Sequence, residues 1–325
     1  QILNFPAQLS KGAELAKQIK IDRSYERVVI CGMGGSIMPG MILLTYKEHK
    51  NKGPGVPVIV HNSYDLPSDI NINDLVICIS WSGTTEETIS AFKTAIERGI
   101  KPVVITKGSE LDQLAKENDA PLVTLPDQPT HPRFSIGYMI GALLTILGLE
   151  KELGVKLNPV DAESIGKDLA DKIGSATPII YTSYSWRKLG ALWKANFNET
   201  AKTPAFWNYL PTMAHDELAT YIRKGLPFYP IILKDENDHP RYVRDLNATI
   251  AILDKMEYNY SIVNLSTETP LKQGPSPRSI INPLETILNN YLLALWTTYY
   301  LAQKIGVDPE DIELIEEYKR MKSSH

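Results

Sequence analysis

Short apolar runs alternate with stretches of helical spacing through the first half of the chain. The strand-length runs are Arg27–Cys31, Val56–His61, Leu75–Ile79, Pro102–Thr106 and Pro121–Leu125. Helical spacing marks Met38–His49, Thr85–Arg98 and Ser109–Glu117, and an opening helix over Ala7–Ile19 with Leu9, Ala13, Leu15, Ala16 and Ile19 on one face. Such alternation predicts an α/β fold with a parallel sheet covered on both sides. Phe134–Leu149 is apolar enough for a buried helix, and the polar stretch Lys151–Pro159 marks a boundary. We therefore expect domains over 1–152 and 153–325. In the second, strands are predicted at Pro178–Thr182, Phe228–Leu233 and Tyr260–Leu265, and helices at Trp186–Phe197, Arg241–Met256 and Pro283–Lys304.

The first run ends in Cys31-Gly32-Met33-Gly34-Gly35-Ser36. A strand that breaks into glycines and a serine before a helix offers bare N–H groups to an anion. The third run ends in Ser80-Trp81-Ser82-Gly83-Thr84-Thr85, again before a helix. Ligands of open parallel sheets sit at the carboxyl ends of strands, where strand order reverses. The two turns together suit a phosphate ester. The ordinary account of the second turn alone is capping of its helix by Ser82 or Thr84, with Glu86 and Glu87 complementing the dipole. A dinucleotide fingerprint does not fit, because Ile37 stands at its third glycine and His61-Asn62-Ser63 at its ribose-binding acid. No Gly-Lys-Ser/Thr loop occurs.

Composition narrows the classes. The chain has 325 residues, 43% hydrophobic and 22% charged, which suits two soluble globular domains. A net charge of −4 gives no basic excess for nucleic acid or membrane. The apolar runs near Tyr138–Leu149 and Tyr291–Ala302 are too short to span a bilayer, and no signal peptide is expected. Two cysteines, Cys31 and Cys78, lie in apolar strands and read as buried thiols of a cytoplasmic protein. The histidines are scattered without metal-ligand spacing, so no metal or cofactor is expected.

After the fifth run comes Pro126-Asp127-Gln128-Pro129-Thr130-His131-Pro132-Arg133, stiffened by three prolines. It places Arg133 at a helix start, where the dipole disfavours a cation unless an anion is close.

The two turns resemble the sugar-isomerase (SIS) domain. With Pro132-Arg133, Asn198-Glu199, His215 with Glu217, and Thr297 with Lys304, the chain is similar over nearly its full length to the bifunctional phosphoglucose/phosphomannose isomerase family. The resemblance implies two SIS-type subdomains of flavodoxin-like three-layer form with a C-terminal helix. It implies a metal-free aldose–ketose isomerase of glucose 6-phosphate, mannose 6-phosphate and fructose 6-phosphate, with a place in glycolysis and gluconeogenesis. Gly34, Gly35, Ser36, Ser80, Ser82 and Thr85 would hold the phosphate. Arg133 would stabilise the enediolate, and Glu199 would move the proton between C1 and C2. His215 and Lys304 would open the ring, and Thr297 would accommodate both C2 epimers. The family's histidine comes from a neighbouring subunit, which implies a homodimer with shared sites. Met213-Ala214-His215-Asp216-Glu217 departs from the family's more frequent Asn-His-Asn-Glu.

Read singly, Glu199 fits a solvated helix end, His215 a surface loop, and Lys304 a lysine with its stem along apolar neighbours. Thr297 and Lys304 are seven apart and so share one helix face. The competing readings are a sugar-phosphate sensor without turnover and an aminosugar-phosphate isomerase or amidotransferase fragment. An amidotransferase would need a nucleophilic cysteine near the chain start, and none precedes Cys31.

Overall fold

The computed structural model describes residues 1–50, 53–128, 130–266 and 282–322; Pro129 of the stiff loop lies outside them. The first half runs α1 (Phe5–Ala16), β1 (Val28–Cys31), α2 (Met38–Lys50), β2 (Val58–His61), β3 (Leu75–Ser80), α3 (Glu86–Glu97), β4 (Val103–Thr106), α4 (Ser109–Glu117), β5 (Leu122–Thr124) and α5 (Ile136–Ile146). The second runs α6 (Pro159–Ile173), β6 (Thr177–Ser183), α7 (Arg187–Glu199), β7 (Phe206–Leu210), α8 (Thr212–His215), β8 (Phe228–Lys234), α9 (Pro240–Lys255), β9 (Ser261–Asn264), α10 (Pro283–Ile305) and α11 (Glu313–Lys322).

Both sheets are parallel. Their orders are β2-β1-β3-β4-β5 and β7-β6-β8-β9, so the second repeats the first without its fifth strand. Every residue of β1 and β3 is buried, as expected of central strands with helices on both faces. Order reverses between β1 and β3, whose ends align with Cys31 beside Cys78. Both cysteines are free and buried. The turns after β1 and β3 therefore emerge together at the switch point.

All five strands expected in the first half are present, four with ends shortened by a residue or two and β3 longer by one. The second half contains one strand more than its pattern predicts. The extra strand, β7, is an edge strand with Phe206 exposed, so its pattern is not the continuous apolar run of a central strand. The polar stretch before Pro159 also hid α6, whose buried face is Ala162, Gly166, Leu169, Ala170 and Ile173.

One core cluster joins the halves. It holds Ile30, Ile77 and Met139 from the first, and Ile180, Trp193 and Ile231 from the second, around Leu288, Tyr291, Leu292 and Leu295 of α10. Burying each such side chain contributes about 1.5–3 kcal/mol, so α10 is the principal seam. Among the described residues no helix is long and apolar enough to cross a membrane.

Candidate active site

The turn after β1 folds into a single 3-10 turn, Gly34–Ser36. Its Ser36 Oγ accepts the Trp81 backbone N–H at 3.0 Å, which ties the first turn to the second. Within the second, Ser80 Oγ accepts the Gly83 N–H at 3.0 Å and donates to Thr85 Oγ1 at 3.1 Å. Ser82 Oγ accepts from the Thr84 N–H at 3.3 Å and the Thr84 hydroxyl at 3.1 Å. The N-cap of α3 is Thr85, and its side chain makes no capping bond. Simple capping by Ser82 or Thr84 is thus not what the hydroxyl cluster does.

Gly83 has φ +74°, and a Cβ there would stand 1.8 Å from the Gly108 carbonyl oxygen. Only glycine fits that position.

Arg133 enters from the opposite side. It lies in a 3-10 turn, Pro132–Phe134, and is 1% exposed. Trp81 Nε1 donates to the Thr130 carbonyl at 3.1 Å, fastening this loop to the hydroxyl turn. A Cβ on Gly35 would meet the Arg133 backbone nitrogen at 2.9 Å, so the glycine lets the two loops close on each other. From α10, the Tyr291 hydroxyl donates to the Arg133 carbonyl at 2.9 Å.

Glu199 is the last residue of α7 and points into this cleft. Its Oε2 is 3.6 Å from Arg133 Nη1. Its Oε1 is 4.0 Å from where a Cβ on Gly34 would stand. Burial pushes its carboxyl above the usual glutamate value, against Arg133, Lys202 and Lys194, which favour the anion. The negative end of the α7 dipole acts in the same direction as burial. Burial likewise lowers Arg133, against Glu199. The anion that makes a buried arginine tolerable at this helix start is therefore Glu199.

The other expected residues lie elsewhere in this chain. Thr297 is fully buried and donates to the Leu293 carbonyl at 2.8 Å, with its backbone against Gly166 of α6. Lys304 pairs with Asp171 of α6 at 3.0 Å. The shared face read from their spacing is real, but it faces α6 rather than the cleft. His215 is exposed at the end of α8, and among the described residues its side chain makes no hydrogen bond or ion pair. Glu217 holds the chain beyond it, accepting from Asn208 Nδ2 at 2.7 Å and the Tyr181 hydroxyl at 3.1 Å.

Two lysines stand where the sequence reading named none. Lys202 donates to the Glu199 carbonyl at 2.6 Å. Lys322 of α11 reaches Glu86 at 2.8 Å and Glu87 at 3.0 Å, at the start of the helix that follows the hydroxyl turn. Lys202 had a usable signal, three residues after a candidate base. Lys322 had none, because α11 is strongly polar and leaves no residue buried.

The corresponding end of the second sheet is filled from within the chain. The Ser183 hydroxyl donates to Asp238, and so does Ser185 at 2.9 Å. Trp186 Nε1 and the Ser266 hydroxyl donate to Asp235 at 3.1 and 2.6 Å. These four donors, among the described residues, already have carboxylate partners.

Residues 21–146 match the SIS domain model. Residues 162–276 and 279–321 match the model of the bacterial phospho-glucose isomerase C-terminal SIS domain. The chain is 31% identical over 309 residues to the bifunctional phosphoglucose/phosphomannose isomerase of Aquifex aeolicus, covering 93% of this chain and 92% of that one. It is 27% identical over 312 residues to the D-glucosamine-6-phosphate 4-epimerase of Sulfolobus acidocaldarius, covering 93% and 90%. A hypothetical protein from Thermus thermophilus shares the fold, with a TM-score of 0.75 at 15% identity over 100% of this chain and 90% of that one. Two matched SIS models in series and near-complete coverage of the Aquifex relative mean that this chain belongs to the bifunctional phosphoglucose/phosphomannose isomerase family.

Proposed function

We propose that the cleft interconverts glucose 6-phosphate and mannose 6-phosphate with fructose 6-phosphate. The observation that carries this reading is the Glu199 carboxylate, 3.6 Å from Arg133 and beside the Gly34 turn. Residues 1–152 supply the phosphate grip and Arg133, and residues 153–325 supply the base.

The phosphate ester is held by the N–H groups of Gly34, Gly35 and Ser36 and by Ser80, Ser82 and Thr85. Gripping the unreactive end positions C1 and C2 of the open-chain sugar at Glu199. Glu199 accepts the C2 proton of the aldose. The C–H electron pair becomes the C1=C2 bond, and the carbonyl pair moves to O1. Arg133 stabilises the enediolate negative charge. For the ketose, the O2 proton passes to O1, the O2–H pair closes the C2=O bond and the C1=C2 pair takes the returned proton at C1; return to either face of C2 instead gives one of two epimeric aldoses. C2 is planar in the intermediate, which is why one site can serve both sugars.

Ring opening needs an acid. We assign it to His215 of a second copy, since the His215 side chain is exposed and has no hydrogen-bond or ion-pair partner among the described residues of its own chain. The working unit is then a homodimer with shared sites.

The test is a coupled assay from fructose 6-phosphate that follows glucose 6-phosphate and mannose 6-phosphate separately; both should form. The Sulfolobus relative favours one other reading, chemistry at an aminosugar phosphate. Turnover of glucosamine 6-phosphate alone, with fructose 6-phosphate inert, would establish that reading instead.

A further inference from the structure

Lys202 is the group of the cleft that the proposed reaction leaves without a part. It follows Glu199 by three residues, just beyond α7. Its backbone has φ +50°, a left-handed conformation uncommon for a residue with a Cβ. Its ammonium donates to the Glu199 carbonyl at 2.6 Å and to the Pro309 carbonyl at 3.5 Å. Arg133 Nη2 donates to that same Pro309 carbonyl. Two cations from distant parts of the chain thus converge on one carbonyl oxygen, beside one carboxylate.

Building on the isomerase reading, we propose that Lys202 is a positioning residue for Glu199: it fixes the end of α7 to the loop after α10 and holds a positive charge beside the base. The tether fixes the last residue of α7, and so the root of the carboxylate side chain. The charge restrains how far burial can raise the carboxyl's affinity for a proton.

The electrostatic setting includes every element packed here, among them His131 before the Pro132–Phe134 turn, which faces Arg133, Glu310 and Lys202. Glu199 feels Arg133 from the turn before α5 and Lys194 from α7 as well as Lys202. Tyr291 of α10 faces Glu199 and Arg133. Asp308, Glu310 and Asp311, in the loop after α10, face the cations: Asp308 and Glu310 act on Arg133, Asp308 and Asp311 on Lys202. Burial and the nearby Arg133 lower the proton affinity of Lys202 itself.

The sign follows directly. Removing the cation leaves burial less opposed, so the Glu199 carboxyl should release its proton at higher pH. In Lys202→Met the acid limb of kcat/KM should move up by about one pH unit, the low end of the range for a nearby opposite charge. KM for fructose 6-phosphate should change little, since Lys202 is not among the phosphate-holding groups. Lys202→Arg should restore the limb. Lys202→Gln keeps a donor but not the charge, so it should shift the limb in the same direction even where Lys202→Met fails to fold. An unmoved limb in the charge-removing variants, or a shift that Lys202→Arg does not reverse, overturns the proposal. Glu199→Gln, measured alongside, separates the two claims. Full turnover there removes the base and with it the role of Lys202. Lost turnover there, with an unmoved limb in the Lys202 variants, removes the role of Lys202 alone.

Discussion

Arg133 Nη1 and Glu199 Oε2 stand 3.6 Å apart, an offset pair rather than a closed one. The hydrogen bonds of the guanidinium run elsewhere, to Thr200 Oγ1 at 3.0 Å and to the Pro309 carbonyl. A tight pair would hold the carboxyl low and the guanidinium high. Both move the other way here, because burial outweighs the attraction on each side. The carboxylate is drawn into place without being spent, which is the state a general base requires.

Arg133→Lys keeps a charge but loses the fork that reaches Thr200 and Pro309 together. We expect kcat to fall by about 10²-fold or more, the scale of losing a donor aimed at developing negative charge. Steady-state kinetics from fructose 6-phosphate check this. A kcat close to wild type would show that the fork has no part in turnover.

The pH dependence follows from Glu199. Only its ionised form accepts a proton, so kcat/KM should rise with pH through its titration. Burial places that titration above the ordinary value of 4.5. An acid limb at or below that value would mean that another group is the base.

At the hydroxyl turn, Gly83→Ala adds a methyl 1.8 Å from the Gly108 carbonyl oxygen on a backbone with φ +74°. Strain of about 1–3 kcal/mol is expected, relieved by displacing the turn. The melting temperature should drop and KM for the sugar phosphate should rise. Calorimetry and initial rates measure the two effects, and an unchanged KM would separate this turn from phosphate binding.

Far from the cleft, Asp74 is fully buried and takes both Arg27 Nε and Nη2 at 2.8 Å, with the Asn71 N–H at 2.9 Å. Burial alone would raise its carboxyl, but Arg27 and the Asn71 N–H bring it below its ordinary value. A lowered carboxyl stabilises the fold above its unfolded-state value and loses that contribution as pH falls through the lowered one. Asp74→Asn should therefore destabilise near neutral pH by about 1–2 kcal/mol, because Arg27 keeps its contact with Asp69. Denaturant unfolding should show the gap to wild type closing in acid; a gap constant with pH would contradict the pairing.

How much of this was written in the sequence varies by element. β1 and β3 were plain because a strand buried on both faces is a continuous apolar run. The two turns were plain because glycines and hydroxyls cluster at their ends. Glu199 and Arg133 were legible as residues, while their meeting depends on α10 pressing Tyr291 onto the Arg133 loop, a contact 158 residues apart. Thr297 and Lys304 misled because spacing reveals that two residues share a helix face, not which neighbour that face meets. Lys322 could not be read, since a polar helix with no buried residue gives no period that fixes its place.

The most direct test is turnover of fructose 6-phosphate by Glu199→Gln, beside its affinity for sorbitol 6-phosphate, an open-chain hexitol phosphate that cannot isomerise. The account predicts that kcat falls by about 10²–10⁴-fold while that affinity persists. Turnover at the wild-type rate would contradict it.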